Sequence, residues 1–124
     1  MLEFFDADEK VGYASIYESH ITFNKELLKY FSLAYRVRVG IDVEESKTYI
    51  FLMDKDYALS GEVNESSLLK ISISKSYARI SSRSLVDYIA KAFNLDVGKE
   101  GSIKLKATYD EKKKAVVILM GGDK

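Results

Sequence analysis

The sequence predicts a mainly β protein with two short helices, built from two tandem copies of a strand–strand–helix–strand–strand unit. Three observations lead to this prediction. Several segments alternate apolar and polar residues, which is the period of a half-buried strand. Two other segments carry apolar residues at helical spacing. These elements also follow one another in the same order in each half of the chain, which indicates an internal repeat.

The first copy places one helix among four strands. The helix is predicted after Asn24, which is a good N-cap, because Leu27, Leu28 and Phe31 then lie on one face. The polar segment 44–46 predicts a hairpin between the last two strands. The four strands are predicted at residues 14–17, 20–23, 37–43 and 48–53.

The second copy repeats this order with a longer helix. Ser82 or Ser84 caps the helix, and Asp87 lies three residues after Ser84, as in a capping box. The repeat offset is 58 or 59 residues at the helices and 66 or 67 at the last strands, so the second copy needs a longer loop, placed at 94–101. Its strands are predicted at residues 69–74, 78–81, 103–109 and 115–120, and its helical stripe at Leu85, Val86, Ile89, Ala90 and Phe93.

The net charge of the chain is zero because the charges of its two halves cancel. A chain of 124 residues has the size of one domain, and its 19 basic and 19 acidic residues remove the simplest electrostatic argument for a nucleic-acid partner. Residues 1–62 carry a net charge of −5, whereas residues 63–124 carry +5. Of the 15 aromatic residues, 11 lie in the first half. The two halves are therefore expected to face different surroundings.

Composition excludes several classes of function. The chain has no Cys, which rules out disulfides, thiolate metal sites and a cysteine nucleophile, and its single histidine, His20, rules out a zinc site with two His ligands. No phosphate-binding loop, nucleophile elbow or metalloprotease motif is present. We therefore predict no enzyme, and no catalytic, cofactor or metal site. The acidic N-terminus and the lack of an apolar run of about 20 residues predict a cytoplasmic protein without a membrane partner.

Residues 21–31, ITFNKELLKYF, resemble the swapped-hairpin DNA-binding domain of the AbrB-like transition-state regulators. Asn24 stands where that family usually has Pro, and residues 80–86 occupy the corresponding place in the second copy, with a register slip of one residue. The resemblance implies an intertwined barrel made from two copies, which a homodimer normally supplies. Here one chain would supply both, as a pseudo-dimeric domain with units at 1–56 and 69–121 and a linker at 57–68.

The resemblance also implies a function and a set of binding residues. In the AbrB-like family, basic residues on and around the first two strands approach DNA phosphates. The equivalent stretch of the first copy offers only His20 and Lys25, beside Glu18. We therefore expect a small transcriptional regulator that contacts duplex DNA through the second copy and needs no cofactor. The residues expected to bind DNA are Lys70, Lys75, Arg79 and Arg83.

The tyrosines of the first half support an alternative from another class. Tyrosines on strands stack on exposed bases of single strands, but they are equally typical of protein interfaces, and the acidic charge of this half favours the interface. The alternative is a non-enzymatic structural or adaptor protein that assembles through tyrosine-rich and edge-strand surfaces. A homo-oligomer or a protein partner is expected under either hypothesis. The tyrosines concerned are Tyr13, Tyr17, Tyr30, Tyr35, Tyr49 and Tyr57.

Overall fold

In the computed structural model, which describes residues 11–98 and 101–121, nine strands form one antiparallel sheet. The helices are α1 (Leu28–Phe31), α2 (Lys55–Ala58) and α3 (Arg83–Phe93), and 3-10 turns lie at Lys25–Leu27 and Glu65–Ser67. The prediction of a mainly β fold is confirmed. The strands are β1 (Tyr13–Ile16), β2 (His20–Asn24), β3 (Arg36–Asp42), β4 (Lys47–Met53), β5 (Leu68–Leu69), β6 (Ser72–Ile73), β7 (Tyr77–Ser81), β8 (Ile103–Asp110) and β9 (Ala115–Leu119).

The sequence predicts two helices, whereas the described residues form three, because α2 forms in the polar segment after β4. Asp54 starts this helix: its side chain accepts a hydrogen bond of 2.8 Å from the backbone N–H of Tyr57. A single turn has too few apolar positions to show helical spacing, so the pattern of the sequence does not reveal it. None of the helices in the described ranges has both the length and the apolar character needed to cross a membrane.

Strands from the two halves of the chain alternate within the sheet. The strand order is β5-β3-β4-β9-β8-β1-β2-β7-β6, so β4 pairs with β9, β1 with β8 and β2 with β7. The two edge strands, β5 and β6, are separated only by Lys70 and Ile71. Three Cα steps span about 11 Å at most, so the two ends of the sheet lie near each other and the sheet is strongly curled. The division into units 1–56 and 69–121 stays a prediction.

The strand predicted at residues 69–74 is interrupted. Leu68 and Leu69 pair with β3, whereas Ser72 and Ile73 pair with β7. Lys70 and Ile71 belong to neither ladder. The prediction of one continuous strand is therefore wrong here, because alternation of apolar and polar residues shows which residues are extended but not which partner each one pairs with.

The core fills the concave side of the curled sheet. Ile21 lies opposite Ile80 and Phe23 opposite Ala78, and all four side chains are buried. The ring of Phe23 packs on that of Phe31 from α1, with centroids 4.6 Å apart. β1, β2 and β7 thus contribute one face to the core and turn the alternate residues outward. Other buried core residues are Ala14, Ile16, Leu27, Val37, Ile50, Val86, Ile89, Leu105, Ala107, Val116 and Ile118.

The two predicted N-caps behave differently. Ser82 caps α3 as predicted, since its hydroxyl accepts a 3.1 Å hydrogen bond from the backbone N–H of Leu85. Asn24 occupies the N-cap position but makes no capping bond. Its side chain instead accepts from the backbone N–H of Tyr13 at 2.9 Å and donates to the carbonyl of Val11 at 2.8 Å. Asn24 therefore fixes the start of β1 against the end of β2.

Thr48 is the basis of a stability prediction. It is fully buried, and in the described part of the chain its hydroxyl has no hydrogen-bond partner. Thr48→Val keeps the shape and removes the unpaired polar group, so we expect the free energy of unfolding in urea to rise by about 1–2 kcal/mol. Thr108→Val, at an exposed position of β8, is the control and is expected to change it by less than about 0.5 kcal/mol. A loss of stability in Thr48→Val would contradict this account.

Candidate functional site

A groove of about 430 Å³ crosses the outer face of β8, β1, β2 and β7. We call it the outer groove. Its floor is formed by small polar side chains, including Ser15 and Thr22, and aromatic and basic side chains stand around them. The residues that define it are Tyr13, Ser15, Tyr17, His20, Thr22, Tyr77, Arg79 and Lys104.

The register of the sheet places a row of polar side chains across the outer groove. Ser15 pairs with Lys104 on one side and with Thr22 on the other. Thr22 pairs with Arg79, which in turn pairs with Ser72. Directly paired residues point to the same face of a sheet, so these five side chains form one line. Their neighbours along the strands point inward, as Ile16, Ile21 and Ile80 do in the core.

Aromatic rings stand on both sides of this row. Tyr17 and His20 stack with ring centroids 4.4 Å apart and planes 15° apart. On the other side, Tyr13 lies under Lys104, whose ammonium nitrogen is 4.2 Å from the ring centroid. Tyr77 lies in β7, opposite Asn24 of β2, and is 40% exposed. The outer groove therefore presents flat ring surfaces to a ligand on either side of its polar floor.

The electrostatics of the outer groove are set by two cations. Arg79 is half-buried, and its Nε donates a 3.0 Å hydrogen bond to the hydroxyl of Ser81. Lys104 is exposed at the other end of the row. Among the described residues that line the outer groove there is no carboxylate, so neither cation is neutralised within it. The site is suited to an anion.

The structure brings one of the four predicted DNA-binding residues into the outer groove. Arg79 lines it. Lys75 is exposed in the turn between β6 and β7, and Lys70 is exposed between β5 and β6. Arg83 begins α3 and forms an ion pair of 3.3 Å with Glu18, in the turn between β1 and β2. That these four residues bind DNA stays a prediction.

Lys104 is the member of the site that sequence reasoning missed. The alternation of residues 103–109 does place Lys104 on the face opposite Leu105, but not next to any particular strand. Only the pairing of β8 with β1, which joins distant parts of the chain, brings it beside Ser15 and Tyr13. The sequence shows that tyrosines are numerous, but only the pairing of the strands shows that some of them surround the row from Lys104 to Arg79.

His20 lies within the site and has a perturbed pKa. His20 begins β2, in agreement with the strand predicted at residues 20–23, and is half-buried, with Nδ1 3.3 Å from the hydroxyl of Ser19. Burial lowers the pKa of His20 below its ordinary value of 6.5, and the positive charge of Arg79 lowers this pKa further. The imidazole is therefore neutral at pH 7, and Lys104 and Arg79 supply the positive charge of the outer groove.

Comparison with models of protein families, with characterised protein sequences and with solved structures finds no match. Within residues 11–98 and 101–121, no group of three or more acidic, His or Cys side chains is placed to hold a metal ion. Cations, hydroxyl groups and exposed ring faces together favour an anionic ligand that contains flat rings.

The link between Arg79 and His20 gives a prediction about pH. Because the pKa of His20 in the folded state lies below 6.5, the unfolded state binds more protons between the two values, and the free energy of unfolding rises with pH across that interval. We expect Arg79→Gln to raise the pKa of His20 towards 6.5 and to flatten this rise. The pKa is measured from the imidazole proton shifts in NMR spectra.

Arg38→Gln is the matched control, because it removes the same charge from an exposed arginine on β3, outside the outer groove. It is expected to leave the His20 titration unchanged. Equal shifts in the two variants would mean that Arg79 acts on His20 only through the overall charge, which would contradict the arrangement described here.

Proposed function

We propose that the protein is a non-enzymatic DNA-binding regulator made of two AbrB-like swapped-hairpin units within one chain, and that it contacts duplex DNA phosphates through the outer groove and the cations around it. The observation that carries the proposal is the row from Lys104 to Arg79, which holds two cations without a lining carboxylate. Phosphate contacts from Lys and Arg supply most of the affinity of proteins for duplex DNA.

Equivalent positions in β2 and β7 support the internal repeat. Thr22 and Arg79 lie opposite each other and are 57 residues apart, and Ser15 and Ser72, also 57 apart, lie one strand further out on either side. The turns before these strands carry equivalent backbone bonds: Tyr17 N–H donates to His20 at 2.8 Å, and Ser74 N–H donates to Tyr77 at 2.9 Å. Both features fit a local two-fold axis between β2 and β7.

The pairing of the remaining strands is consistent with the same two-fold axis. The β3–β4 hairpin pairs through β4 with β9 of the β8–β9 hairpin, so the two hairpins face each other antiparallel. β1 pairs with β2 and with β8. Its counterpart in the second copy is divided into two strands, of which β6 pairs with β7 and β5 pairs with β3. Lys70 and Ile71 then form a two-residue insertion within the second copy of this strand. This interleaving supports a barrel of the swapped-hairpin type.

The spacing of the cations is compatible with duplex DNA. Lys104 and Arg79 are three strand positions apart, which corresponds to about 14 Å at the usual distance of about 4.8 Å between strands. The major groove of B-form DNA is about 12 Å wide, so two such cations can each approach a phosphate on opposite sides of it. Lys70, Lys75 and Arg83 extend the basic surface beyond β7. Arg83 leaves Glu18 at little cost, because exposed ion pairs contribute about 0–1 kcal/mol.

A double variant tests the proposal. Arg79→Gln with Lys104→Gln removes both cations of the row, so we expect the Kd for a mixed-sequence duplex to rise at least about tenfold at 50 mM salt. We also expect the slope of log K against log salt to decrease in magnitude by about 2. Fluorescence anisotropy measures both quantities, and circular dichroism checks that the variant folds.

Two further variants make the test specific. Lys112→Gln with Lys113→Gln removes the same charge from the β8–β9 turn, away from the outer groove, and is expected to weaken binding much less. Lys70→Gln with Lys75→Gln is expected to give an intermediate loss through the flanking contacts. An equal loss in all three variants, or no binding by the unmodified protein at low salt, would rule out the proposed DNA interface.

We propose the adaptor as the second candidate, because an apolar surface lies on the outside of β4 and β9. The half-buried rings of Tyr49 and Phe51 stack there at 5.8 Å, and the partly exposed Leu119 lies on the neighbouring strand. The edge strands β5 and β6 have only two residues each, so they support this candidate less than the apolar surface does. The duplex titration discriminates the two functions: a protein that binds no duplex at low salt but forms a stable dimer in light scattering fits the adaptor.

A further inference from the structure

We propose that the outer groove holds an unpaired nucleobase, so that the preferred ligand is DNA with a single-stranded segment beside the duplex. This inference rests on the proposed function, because both use the outer groove. Its basis is the arrangement of Tyr13, Tyr17, His20 and Tyr77 around the polar row. Binding of phosphate groups does not require aromatic rings, whereas an unpaired base stacks on them.

The rings lie where a base can enter between them. Tyr13 begins β1 and Tyr17 directly follows its last residue, so about 13 Å of extended chain separates their Cα atoms. Between them the side chains are small: Ser15 on β1 and Thr22 beside it on β2. A volume of about 430 Å³ lies within the range of sites that enclose a small ligand of nucleotide size.

The same rings contribute little to the binding of an intact duplex. Paired bases are stacked on one another, so a protein reaches their edges and the phosphates but not their faces. A base outside the stack exposes both faces. The Tyr17–His20 pair offers one wall of parallel rings, and Tyr77, which is 40% exposed, offers a ring on the other side of the polar row. Stacking on these walls therefore distinguishes unpaired from paired DNA.

Polar groups beside the rings complete the fit to a nucleotide. The ammonium of Lys104 is held over Tyr13 at 4.2 Å, so a phosphate that pairs with it lies next to a stacked base. Arg79 occupies the other end of the row, three strands away, and pairs with a phosphate further along the DNA strand. The hydroxyl groups of Ser15 and Thr22 donate to and accept from base edges of any kind. The groove therefore recognises unpaired nucleotides with little preference among bases.

The test compares two DNA ligands with the same number of phosphates, a blunt duplex and a duplex with a single-stranded overhang. We expect the overhang to increase affinity by about tenfold, which is within the range for stacking one base on an aromatic side chain. Tyr17→Leu is expected to remove most of this gain, measured as the ratio of the overhang affinity to the blunt-duplex affinity within the same variant. Tyr57→Leu, at an exposed position outside the outer groove, is the matched control and is expected to keep the gain.

A measurement on the unmodified protein covers the case in which Tyr17→Leu fails to fold. The chain has nine Tyr and no Trp, so its intrinsic fluorescence reports on tyrosine alone. We expect the overhang ligand to quench this fluorescence more than the blunt duplex does at saturation.

The outcomes separate the two proposals. Equal affinity and equal quenching for the two ligands, with binding still dependent on Arg79 and Lys104, would overturn the unpaired-base site and leave the duplex interface standing. Absence of binding to either ligand at low salt would overturn both.

Discussion

The pairing of β2 with β7 is the constraint on which both the core and the candidate site depend. It joins the two halves of the chain in one register, from His20 opposite Ser81 to Asn24 opposite Tyr77. In that register Ile21 and Ile80 meet in the core, while Thr22 and Arg79 meet outside. A slip of β7 by one residue would turn Ile80 and Ala78 to solvent and Arg79 into the core, at a cost of several kcal/mol. Burial of the core therefore fixes where Arg79 points.

The division of charge along the chain acquires a structural meaning from this pairing. The acidic half supplies most of the rings of the outer groove, Tyr13, Tyr17 and His20, whereas the basic half supplies its two cations, Arg79 and Lys104. Because strands from the two halves alternate in one sheet, the contrast between the halves does not become a contrast between two surfaces. A net charge of zero is thus compatible with a local surface that favours anions.

Local pattern predicts much of the strand content and the pairing within hairpins, but none of the pairings between distant strands. Both hairpins and the cap at Ser82 follow from alternation and N-cap chemistry, which depend on neighbouring residues. The break at Lys70 depends on a switch of partner strand, and α2 depends on one cap, so neither produces a periodic signal. For the same reason Arg79 is recognisable as a candidate from its stretch of sequence, whereas Lys104 joins the site only through the pairing of β8 with β1.

The central claim is that the outer face of β8, β1, β2 and β7 is the surface that contacts DNA. Backbone amide NMR spectra recorded during titration with an oligonucleotide test it most directly, because they report on every strand at once and need no variant. The account predicts that the largest shift changes cluster at Ser15, Thr22, Arg79 and Lys104, with little change at Tyr49 and other positions on β3, β4 and β9. Changes concentrated on β4 and β9, or spread evenly over the sheet, would contradict it.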